Sequence, residues 1–484
     1  MIDSKKTITI PKLLKDFYKV FQENGFKAYL VGGAVRDLFL NKEAHDWDIT
    51  TNATPQDVMK IFPFVVPTGF EHGTVTVHFH KQEIEVTTFR TESGYSDGRH
   101  PDSINYAATI EEDLARRDFT MNAIAVNLKD GAIVDPYQGR SDIKNKTIRT
   151  VRNAYDRFME DGLRPVRALR FSSQLGFMIE KETYQAIANP DVQKKVASIS
   201  MERFRDEFVK MMSSPKPSIG LKMMEECGIL DIFIPELKPC RNCIQSDDRG
   251  YHNFDVMDHN LYACDGAPKE KPLVRIAALF HDIGKPKSKT QTIENGLTIF
   301  HFFNHEKYSA EIARTIMTRL KFSNKEIDHV CHLILNHMFY YEPNWTNAAV
   351  RRFLVKVGSE NLEDLIDLRL ADMYGKYNEP VRIHDTKSCD LLIELQDRIK
   401  KIEEENSALS LKDLAVNGKD LIQAGIPAGK KLGIILNQLF DCVLEDPAMN
   451  DKETLLTVAL PLKSTTRPFS HPGPPFPPPT PPPL

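Results

Sequence analysis

The stretch Tyr29-Leu-Val-Gly-Gly-Ala-Val-Arg-Asp-Leu38 joins a short apolar strand to the start of a helix through two adjacent glycines. At such a junction bare backbone amides can approach phosphate groups closely, and an arginine in the helix can add a fork of donors. Gly33 and Arg36 are therefore candidate phosphate contacts. A Gly-Gly pair alone is weak evidence, so this interpretation depends on the motifs around it.

A second motif, His45-Asp-Trp-Asp-Ile49, coincides with the next predicted strand. Strand alternation puts Asp46 and Asp48 on one face, as shared coordination of Mg²⁺ requires. Glu85, on a neighbouring predicted strand, is the candidate third carboxylate. Two ions held there could activate a ribose 3′-hydroxyl and neutralise a triphosphate during in-line displacement. Taken alone, an Asp-x-Asp pair is more often a turn or a surface pair.

The periodicity of apolar residues predicts an α+β fold: a mixed head followed by mostly helical domains. In the head, helical spacing at Leu13–Asn24 precedes strand patterns at Ala28–Val31, Trp47–Thr50, Thr74–His80, Glu83–Phe89 and Ala132–Asp135. From about Tyr155 onward the pattern is almost wholly helical. The predicted helices include Ala168–Leu175, Met201–Met212, Leu273–Phe280, His305–Leu320, Lys325–Leu335, Leu362–Tyr374 and Leu391–Glu405.

Composition narrows the class of protein. The chain has 484 residues, and at roughly 100–200 residues per domain this predicts about three or four units. We find no run of about 18 apolar residues and no signal-peptide core, which predicts no membrane partner. Its seven cysteines are scattered, which argues against a disulfide framework. Together these features predict a cytoplasmic protein.

Local charge differs from net charge. The whole chain carries a net charge of −4, which does not by itself suggest a nucleic-acid binder. Between Arg140 and Lys210, however, 15 Lys and Arg stand against 10 Asp and Glu, a net of +5. A strip of phosphate contacts is one interpretation, and a solvated helical surface is the other.

Arg116-Arg-Asp-Phe-Thr-Met-Asn-Ala123 completes a set of three motifs. With the Gly-Gly and Asp-Trp-Asp motifs, it resembles the class II tRNA nucleotidyltransferases over about residues 25–215. The resemblance implies a DNA-polymerase-β-like head in which Asp46 and Asp48 hold metal and Gly33 and Arg36 contact the incoming triphosphate. It also implies that Arg117 binds nucleotide phosphates while Asp118 helps to order the site.

Glu160-Asp-Gly-Leu-Arg-Pro-Val-Arg-Ala-Leu-Arg-Phe171 resembles that family's nucleotide-selecting motif. Cytosine and adenine each present an amino donor beside a ring acceptor, which matches a carboxylate next to a guanidinium. Uracil and guanine reverse this pattern and would leave buried polar groups unpaired, at about 1–3 kcal/mol each. Asp161 and Arg164 are the predicted selecting pair.

Other residues of this motif have supporting roles in the prediction. Arg167 and Arg170 follow at helical spacing and are predicted to brace the pair and bind the nucleotide. Pro165 is expected to disfavour helical backbone at Arg164 and to occupy the first turn of a helix. A basic helix that binds only RNA backbone is the alternative interpretation.

A second set of candidate ligands follows on predicted helices: His259, His281, Asp282, His305, His337 and Asp372. Their order resembles the HD-superfamily metal phosphohydrolases over about residues 250–375. Imidazole and carboxylate ligands suit Mn, Fe, Co or Ni, and the series could hold two ions for attack on a phosphoester. The alternative is a scaffold whose histidines bind little metal. His301, His329 and His332 are predicted to be ordinary surface or core residues.

The motifs together predict template-independent addition or repair of the 3′-terminal CCA of tRNA from CTP and ATP, with Mg²⁺ as cofactor. The polar loop Phe89–Ile104 favours complete CCA addition or an A-adding specialist, since family members that add only the two cytidines lack it. A poly(A) polymerase is the nearest alternative. A rival of another class is an HD phosphohydrolase with an RNA-binding head, and a third is a non-catalytic RNA-binding regulator.

The predicted organisation has five parts. A nucleotidyltransferase head at residues 1–150 precedes a helical neck and body at 151–245, which would select the nucleotide and bind the tRNA acceptor arm. An HD domain at 246–378, a helical C-terminal domain at 379–463 and a disordered proline-rich tail at 464–484 follow. The pattern leaves the oligomeric state open.

Overall fold

The structure, a computed structural model, describes residues 7–43, 46–93, 103–246, 253–377, 387–405 and 408–462. The chain divides into two compact units. The first extends to Lys238 and includes Ile316–Phe322, and the second comprises Pro239–Thr315 and the chain from Ser323 onward.

The first unit contains eleven strands and twelve helices among its described residues. The strands are β1 (Ala28–Val31), β2 (Trp47–Thr51), β3 (Val65–Gly69), β4 (Thr74–Phe79), β5 (Gln82–Thr88), β6 (Arg90–Ser93), β7 (Ser103–Tyr106), β8 (Ala125–Asn127), β9 (Ile133–Val134), β10 (Thr147–Ile148) and β11 (Met178–Ile179). The helices are α1 (Lys12–Glu23), α2 (Gly32–Phe39), α3 (Pro55–Ile61), α4 (Ile110–Ala115), α5 (Gly139–Lys144), α6 (Ala154–Glu160), α7 (Leu163–Leu175), α8 (Lys181–Ile187), α9 (Pro190–Ala197), α10 (Met201–Met212), α11 (Pro217–Glu226) and α12 (Ile229–Phe233).

One sheet of seven strands organises the head, in the order β3-β4-β5-β2-β1-β8-β9. β1 is antiparallel to both of its neighbours, whereas β2 and β5 run parallel. All four residues of β1 are buried, as expected of a strand covered on both faces. Because β1 is next to β2 in the sheet, the Gly-Gly junction at the end of β1 lies directly beside β2.

Helix α1 supplies part of the aromatic core of the head. Phe17 and Phe21 project from its buried face and contact Phe62, and Phe17 also contacts Phe79 of β4. Aromatic pairs with centroid distances of 4.7–5.5 Å, as here, contribute specific edge and face contacts in addition to buried apolar area. The helix thereby holds α3 and the β4–β5 hairpin together.

Helix α7 is the centre of the helical part of this unit and packs against both α10 and α11. It ends at Gly176, whose left-handed backbone (φ 68°) is a common helix terminator. The polar residues of α7 include Arg164, Arg167 and Arg170, three residues apart and therefore on one side of the helix. This side carries the contacts described for the cavity below.

The second unit is helical except for one hairpin among its described residues. Its helices are α13 (Val256–Gly266), α14 (Pro272–Phe280), α15 (Lys285–Ser288), α16 (His305–Arg319), α17 (Asn324–Asn336), α18 (Asn347–Val357), α19 (Ser359–Tyr377), α20 (Lys387–Glu404), α21 (Gly418–Gln423), α22 (Lys430–Glu445) and α23 (Lys452–Leu462). The last residues of α16 belong to the first unit. The hairpin consists of β12 (Lys289–Glu294) and β13 (Leu297–Phe302).

The C-terminal helices have their own apolar core, which includes Leu421, Leu439 and Leu455. Arg351 of α18 donates from Nε to the carbonyl of Leu444 at 2.7 Å and from Nη2 to the carbonyl of Glu445 at 3.0 Å. Carbonyls in the last turn of a helix lack partners inside the helix, so this arginine satisfies the end of α22.

The predicted fold class is confirmed: an α+β head is followed by mostly helical structure. The segment predicted as almost wholly helical also contains the β12–β13 hairpin. One expectation is wrong: Arg164 lies inside α7 although Pro165 follows it. Residues 94–102 of the predicted polar loop and the proline-rich tail lie outside the described residues. Among the residues that the structure describes, no helix is long and apolar enough to cross a membrane.

Candidate functional site

A cavity of about 300 Å³ opens in the first unit, where the head sheet meets the start of α7. Its lining is strongly charged and includes seven residues predicted from the sequence: Asp48, Glu85, Arg117, Asp118, Asp161, Arg164 and Arg167. The cavity therefore combines the predicted metal carboxylates with the predicted base-selecting pair.

Two carboxylates meet at the parallel junction of β2 and β5. Asp48 and Glu85 are direct register partners, so their side chains project from the same face of the sheet. Asp46 lies in a bend one residue before β2 and is exposed. Burial and the nearby charges of Glu85 and Asp46 raise the pKa of Asp48 to about 6, although Arg117 opposes the shift. The arrangement concentrates negative charge that a cation would neutralise.

Gly32 is required at the junction between β1 and α2. Its backbone is left-handed (φ 71°), and a Cβ at this position would lie 2.9 Å from Oδ2 of Asp48 and 3.5 Å from Nη1 of Arg117. A side chain would strain the backbone and also collide with the carboxylate. The first glycine of the motif thus lets the start of α2 approach the acidic cluster.

Asp113 is a buried carboxylate that fixes the two arginines after α4. Arg116 donates to its Oδ1 from Nε at 3.0 Å, and Nη2 of Arg117 lies 3.4 Å from its Oδ2. Its Oδ1 also accepts from the backbone N–H of Arg90 at 3.4 Å. Burial would raise the pKa of Asp113, but the charges of Arg116 and Arg117 hold it below its usual value. Asp113 therefore holds Arg116 and Arg117 in the orientation in which they line the cavity.

The predicted base-selecting pair is held by separate partners. Asp161 accepts from Nη2 of Arg203 at 2.8 Å and from the backbone N–H of Leu163 at 2.9 Å. Arg164 donates to the carbonyl of Arg157 at 2.9 Å and to that of Arg116 at 3.1 Å, and it pairs with Glu160. Both side chains are thus oriented before any ligand is present, which lowers the ordering cost of recognition.

Arg167 joins the cavity to the helix behind it. Its Nε and Nη2 donate to Oδ2 of Asp118 at 2.9 and 2.8 Å, and its Nη1 lies 3.3 Å from Glu207. Burial opposes ionisation of Asp118, but the charge of Arg167 and hydrogen bonds from Asn122 and Arg167 lower its pKa to about 2. Asp118 is accordingly a fixed anion beside the cavity.

Four predicted site residues are not among the described residues that line this cavity: Gly33, Arg36, Asp46 and Arg170. Arg36 is buried, with Asp37 and Asn122 as hydrogen-bond partners. Arg170 is also buried, and it pairs with Glu207 and Gln174 while its guanidinium lies 4.0 Å from the ring centroid of Phe171.

The lining also contains residues that the sequence analysis did not single out, among them Thr74, Thr87, Arg90 and Arg116. Thr87 lies two residues after Glu85 on β5, so strand alternation would have identified it. Thr74 is paired with Thr87 across the hairpin, with their hydroxyl oxygens 3.0 Å apart. Arg90 carries no such local signal, because its position depends on the turn after β5.

The second set of predicted ligands converges in the second unit. His259, His281 and Asp282 form one buried group whose ligand atoms lie within 4.8 Å of one another, and Asp282, His305 and His337 form another. Asp372 joins the first group, with its Oδ1 3.3 Å from Nε2 of His259. Asp282 belongs to both groups, so its carboxylate occupies the shared position of the cluster.

The orientation of three imidazoles is set by backbone carbonyls. Nδ1 of His281, His305 and His337 each lies 2.7 Å from the carbonyl three residues earlier. A carbonyl only accepts, so each Nδ1 carries the proton and each Nε2 faces the cluster. This is the arrangement in which a neutral imidazole can bind a metal ion.

Charge is unevenly distributed within this cluster. Burial disfavours the charged form of His281, but the Asp282 and Asp372 carboxylates raise its pKa to about 10. Burial and the neighbouring His281 and His305 lower the pKa of His337 to about 3. Lys285 adds a positive charge beside the Asp282 carboxylate, with Nζ 2.6 Å from Oδ2 of Asp282.

Three further histidines of the second unit were predicted to be ordinary surface or core residues, and each has a hydrogen-bond partner outside the cluster. His301 contacts Thr292, His329 contacts Asn361 and Asp364, and His332 contacts the carbonyl of Val357.

Three family models match successive parts of the chain. A model described as “Poly A polymerase head domain” matches residues 28–149. A model described as “Probable RNA and SrmB- binding site of polymerase A” matches residues 176–241, and one for tRNA nucleotidyltransferase domain 2 matches residues 290–459.

Curated relatives and a solved structure match nearly the whole chain. The CCA-adding enzyme of Lactobacillus johnsonii is 34% identical over 438 residues, which cover 90% of this chain and 94% of the relative. The CCA-adding enzyme of Enterococcus faecalis is 33% identical over 458 residues, with coverage of 94% and 97%. The crystal structure of the Bacillus stearothermophilus CCA-adding enzyme in complex with CTP is similar at a TM-score of 0.70 and 29% identity, covering 93% of this chain and 98% of that chain. The chain therefore belongs to the family of CCA-adding enzymes, which are tRNA nucleotidyltransferases.

Proposed function

We propose that this protein adds or repairs the 3′-terminal CCA of tRNA, transferring nucleotides from CTP and ATP without a template. The observation that carries the proposal is that one and the same cavity is lined by Asp48 and Glu85 of the sheet and by Asp161 and Arg164 at the start of α7. The relatives named CCA-adding enzymes support this reaction over an A-adding specialist, a poly(A) polymerase or an HD phosphohydrolase with an RNA-binding head.

The family is one of nucleotidyltransferases that use divalent metal ions, and we propose Mg²⁺ as the ion. The donor set fits, because Mg²⁺ prefers carboxylate oxygens. The pKa of Asp48 is raised by burial and then by the negative charges of Glu85 and Asp46, which a bound cation would neutralise. Asp46, Asp48 and Glu85 would hold it. When bound, Mg²⁺ supplies neutralisation of the triphosphate and a lowered pKa of the attacking 3′-hydroxyl.

The remaining charged groups are assigned by the side of the cavity to which they belong. Arg117 would bind nucleotide phosphates, and Gly33 and Arg36 would act on the triphosphate side, because α2 begins beside Asp48. Asp161 would accept from the amino group of cytosine or adenine while Arg164 donates to the adjacent ring acceptor. A carbonyl at the position of that amino group would face the Asp161 carboxylate, which excludes uracil and guanine.

Two arginines of α7 would support this pair. Arg167 lines the cavity and is braced by Asp118, so it can bind the nucleotide without reorganisation. Arg170 is buried against Glu207, so we assign it to holding α7 in place. The five-part domain organisation, the tRNA acceptor arm as the bound segment and the cytoplasmic location remain predictions from the sequence.

Incubation with tRNA that ends at its discriminator base tests the proposal. With labelled CTP and ATP, we expect addition of two cytidines and one adenosine and then arrest. No incorporation, or a long adenosine tail, would refute it. Asp48→Asn is expected to abolish incorporation, while a variant at the second cluster, Asp282→Asn, is expected to retain it.

A second candidate function rests on the histidine and aspartate cluster of the second unit. We propose that His259, His281, Asp282, His305, His337 and Asp372 would hold two ions of Mn, Ni, Co or Fe, because their ligand atoms converge in two groups and three imidazoles present Nε2. When bound, such ions supply an activated water for phosphoester hydrolysis. The expected result is opening of a 2′,3′-cyclic phosphate to a monoester, or release of phosphate from a monoester. This activity should be lost in Asp282→Asn but retained in Asp48→Asn.

A further inference from the structure

Asn122 is the last residue of a short 3-10 turn, Thr120–Asn122, that follows the cavity-lining residue Asp118. Its amide is buried and makes two side-chain hydrogen bonds. The amide oxygen accepts from Nη1 of Arg36 at 3.1 Å, and the amide nitrogen donates to Oδ1 of Asp118 at 3.1 Å. The direction of both bonds is fixed by chemistry, since a guanidinium only donates and an ionised carboxylate only accepts.

The partners of Asn122 belong to different parts of the site. Arg36 is on α2, whose first residue, Gly32, lies against Asp48. Asp118 lines the cavity and holds Arg167 of α7 through two donors. Asn122 therefore forms a hydrogen-bonded connection between the helix on the triphosphate side and the helix of the base-selecting pair, in addition to the contact of the Arg36 guanidinium with the Phe171 ring.

Only an uncharged group with both a donor and an acceptor fits this position. Asn122 belongs to a series of contacts that runs from Asp37 through Arg36, Asn122, Asp118 and Arg167 to Glu207. Apart from the two contacts of Asn122, each contact in this series joins opposite charges. An anion at position 122 would repel Asp118, and a cation would repel Arg36. Either change would leave one buried charge without its hydrogen bond, which is costly in a low-dielectric interior.

We propose that Asn122 is a positioning residue for nucleotide transfer, which locks Arg36 and thereby α2 to Asp118 on the cavity wall. This inference rests on the proposed function, because it assigns α2 to the triphosphate. Asn122 touches no reacting atom in this account. Its contribution is to keep the triphosphate side of the site at a fixed position relative to Arg167.

The test uses the full chain, tRNA that ends at its discriminator base, and KM and kcat for CTP and ATP. We expect Asn122→Ala to raise KM for both nucleotides by about tenfold at every pH, equivalent to about 1.4 kcal/mol, because Arg36 and Asp118 each lose a hydrogen bond. Asn127→Ala and Asn127→Asp, on β8 and outside the cavity lining, are the matched controls for the alanine and aspartate variants and should leave both KM values unchanged.

Asn122→Asp provides a signature that a merely structural role would not give. The new carboxyl would face Asp118, and two carboxyls within hydrogen-bond reach share one proton with a raised pKa. We expect a raised KM at pH 8 that returns toward the wild-type value at pH 6, where the shared proton restores a donor. Three other charged groups lie on the elements around Asn122: Arg36 of α2, Arg167 of α7 and Asp142 of α5. Asp142 is bound by Thr120 and Arg149.

The outcomes separate the inference from the proposed function. Unchanged KM values in Asn122→Ala, or a lower active fraction with wild-type KM, would overturn the role of Asn122 while wild-type CCA addition leaves the proposed function intact. If Asn122→Asp does not fold, the comparison of KM in Asn122→Ala decides. Failure of the wild-type protein to add nucleotides would overturn both.

Discussion

Asp48 and Glu85 are direct register partners on the adjacent parallel strands β2 and β5. Antiparallel hairpins pair residues that are close in the sequence, whereas this pair is brought together across the chain by the parallel junction. Asp48 lies beside Gly32, which puts its carboxylate at the start of α2.

Glu85→Gln should lower nucleotide incorporation by roughly 100-fold or more, because a metal-binding carboxylate supplies several kcal/mol of charge stabilisation in the transition state. The measurement is kcat/KM for CTP at saturating Mg²⁺. Glu83→Gln is the matched control: Glu83 lies on the same strand two residues earlier but outside the cavity lining. Equal activity of the two variants would remove Glu85 from the metal site.

Glu85→Gln should also change the stability of the metal-free protein in a pH-dependent way. The pKa of Asp48 is raised from 3.8 to about 6 by burial and by Glu85, so the folded state binds this proton more tightly than the unfolded chain. The resulting stabilisation is fully present below pH 3.8 and is lost as the pH rises through 6.

Removing the charge of Glu85 should therefore raise Tm at pH 8, where Asp48 is ionised, and change it little at pH 4.5. A gain of about 1 kcal/mol corresponds to roughly 2–4 °C. Thermal unfolding in EDTA at the two pH values measures the effect. An equal shift at both would show that repulsion between the carboxylates is not its cause.

The architecture of the head was predictable because its local signals agree with its tertiary packing. β1 was predicted with its observed bounds, because a short apolar run identifies a buried strand. In the helical part that follows, α10 was also predicted with its observed bounds, because its apolar residues have helical periodicity. The β12–β13 hairpin was missed although Asn295 and Gly296 form a turn with positive φ at both residues, a strong hairpin signal. In the β4–β5 hairpin the same turn conformation is adopted by His80 and Lys81, which carry no such signal.

The site was predictable at the level of residue types but not of side-chain direction. The sequence predicted Glu85 as a third carboxylate on a strand neighbouring that of Asp48, and in the structure the two residues are register partners. Arg170 was expected at the nucleotide, yet it pairs with Glu207, which lies on another helix and 37 residues away. Whether an arginine on α7 turns toward the cavity or toward α10 is decided by long-range packing, which no local pattern records.

Asp161→Asn should relax base selection. The carboxylate offers only acceptors to the amino group of cytosine or adenine, whereas an amide can also donate to the carbonyl of uracil. We expect the ratio of kcat/KM for CTP to that for UTP to fall roughly 5- to 150-fold, equivalent to about 1–3 kcal/mol. Asp156→Asn, in the first turn of α6, is the control. An unchanged ratio would mean that Asp161 does not read the base.

Metal binding at the second cluster should depend on which ligand is removed, because Asp282 belongs to both groups whereas His337 belongs to one. Mn²⁺ titration by calorimetry, in an Asp48→Asn background that removes the first-unit site, should give two ions per chain. His337→Ala should retain the ion held by His259, His281, Asp282 and Asp372, and Asp282→Asn should weaken the binding of both ions.

His301→Ala is the matched control, since His301 lies on β13 with Thr292 as its partner. Loss of both ions in His337→Ala, or of neither in Asp282→Asn, would contradict the shared-carboxylate arrangement.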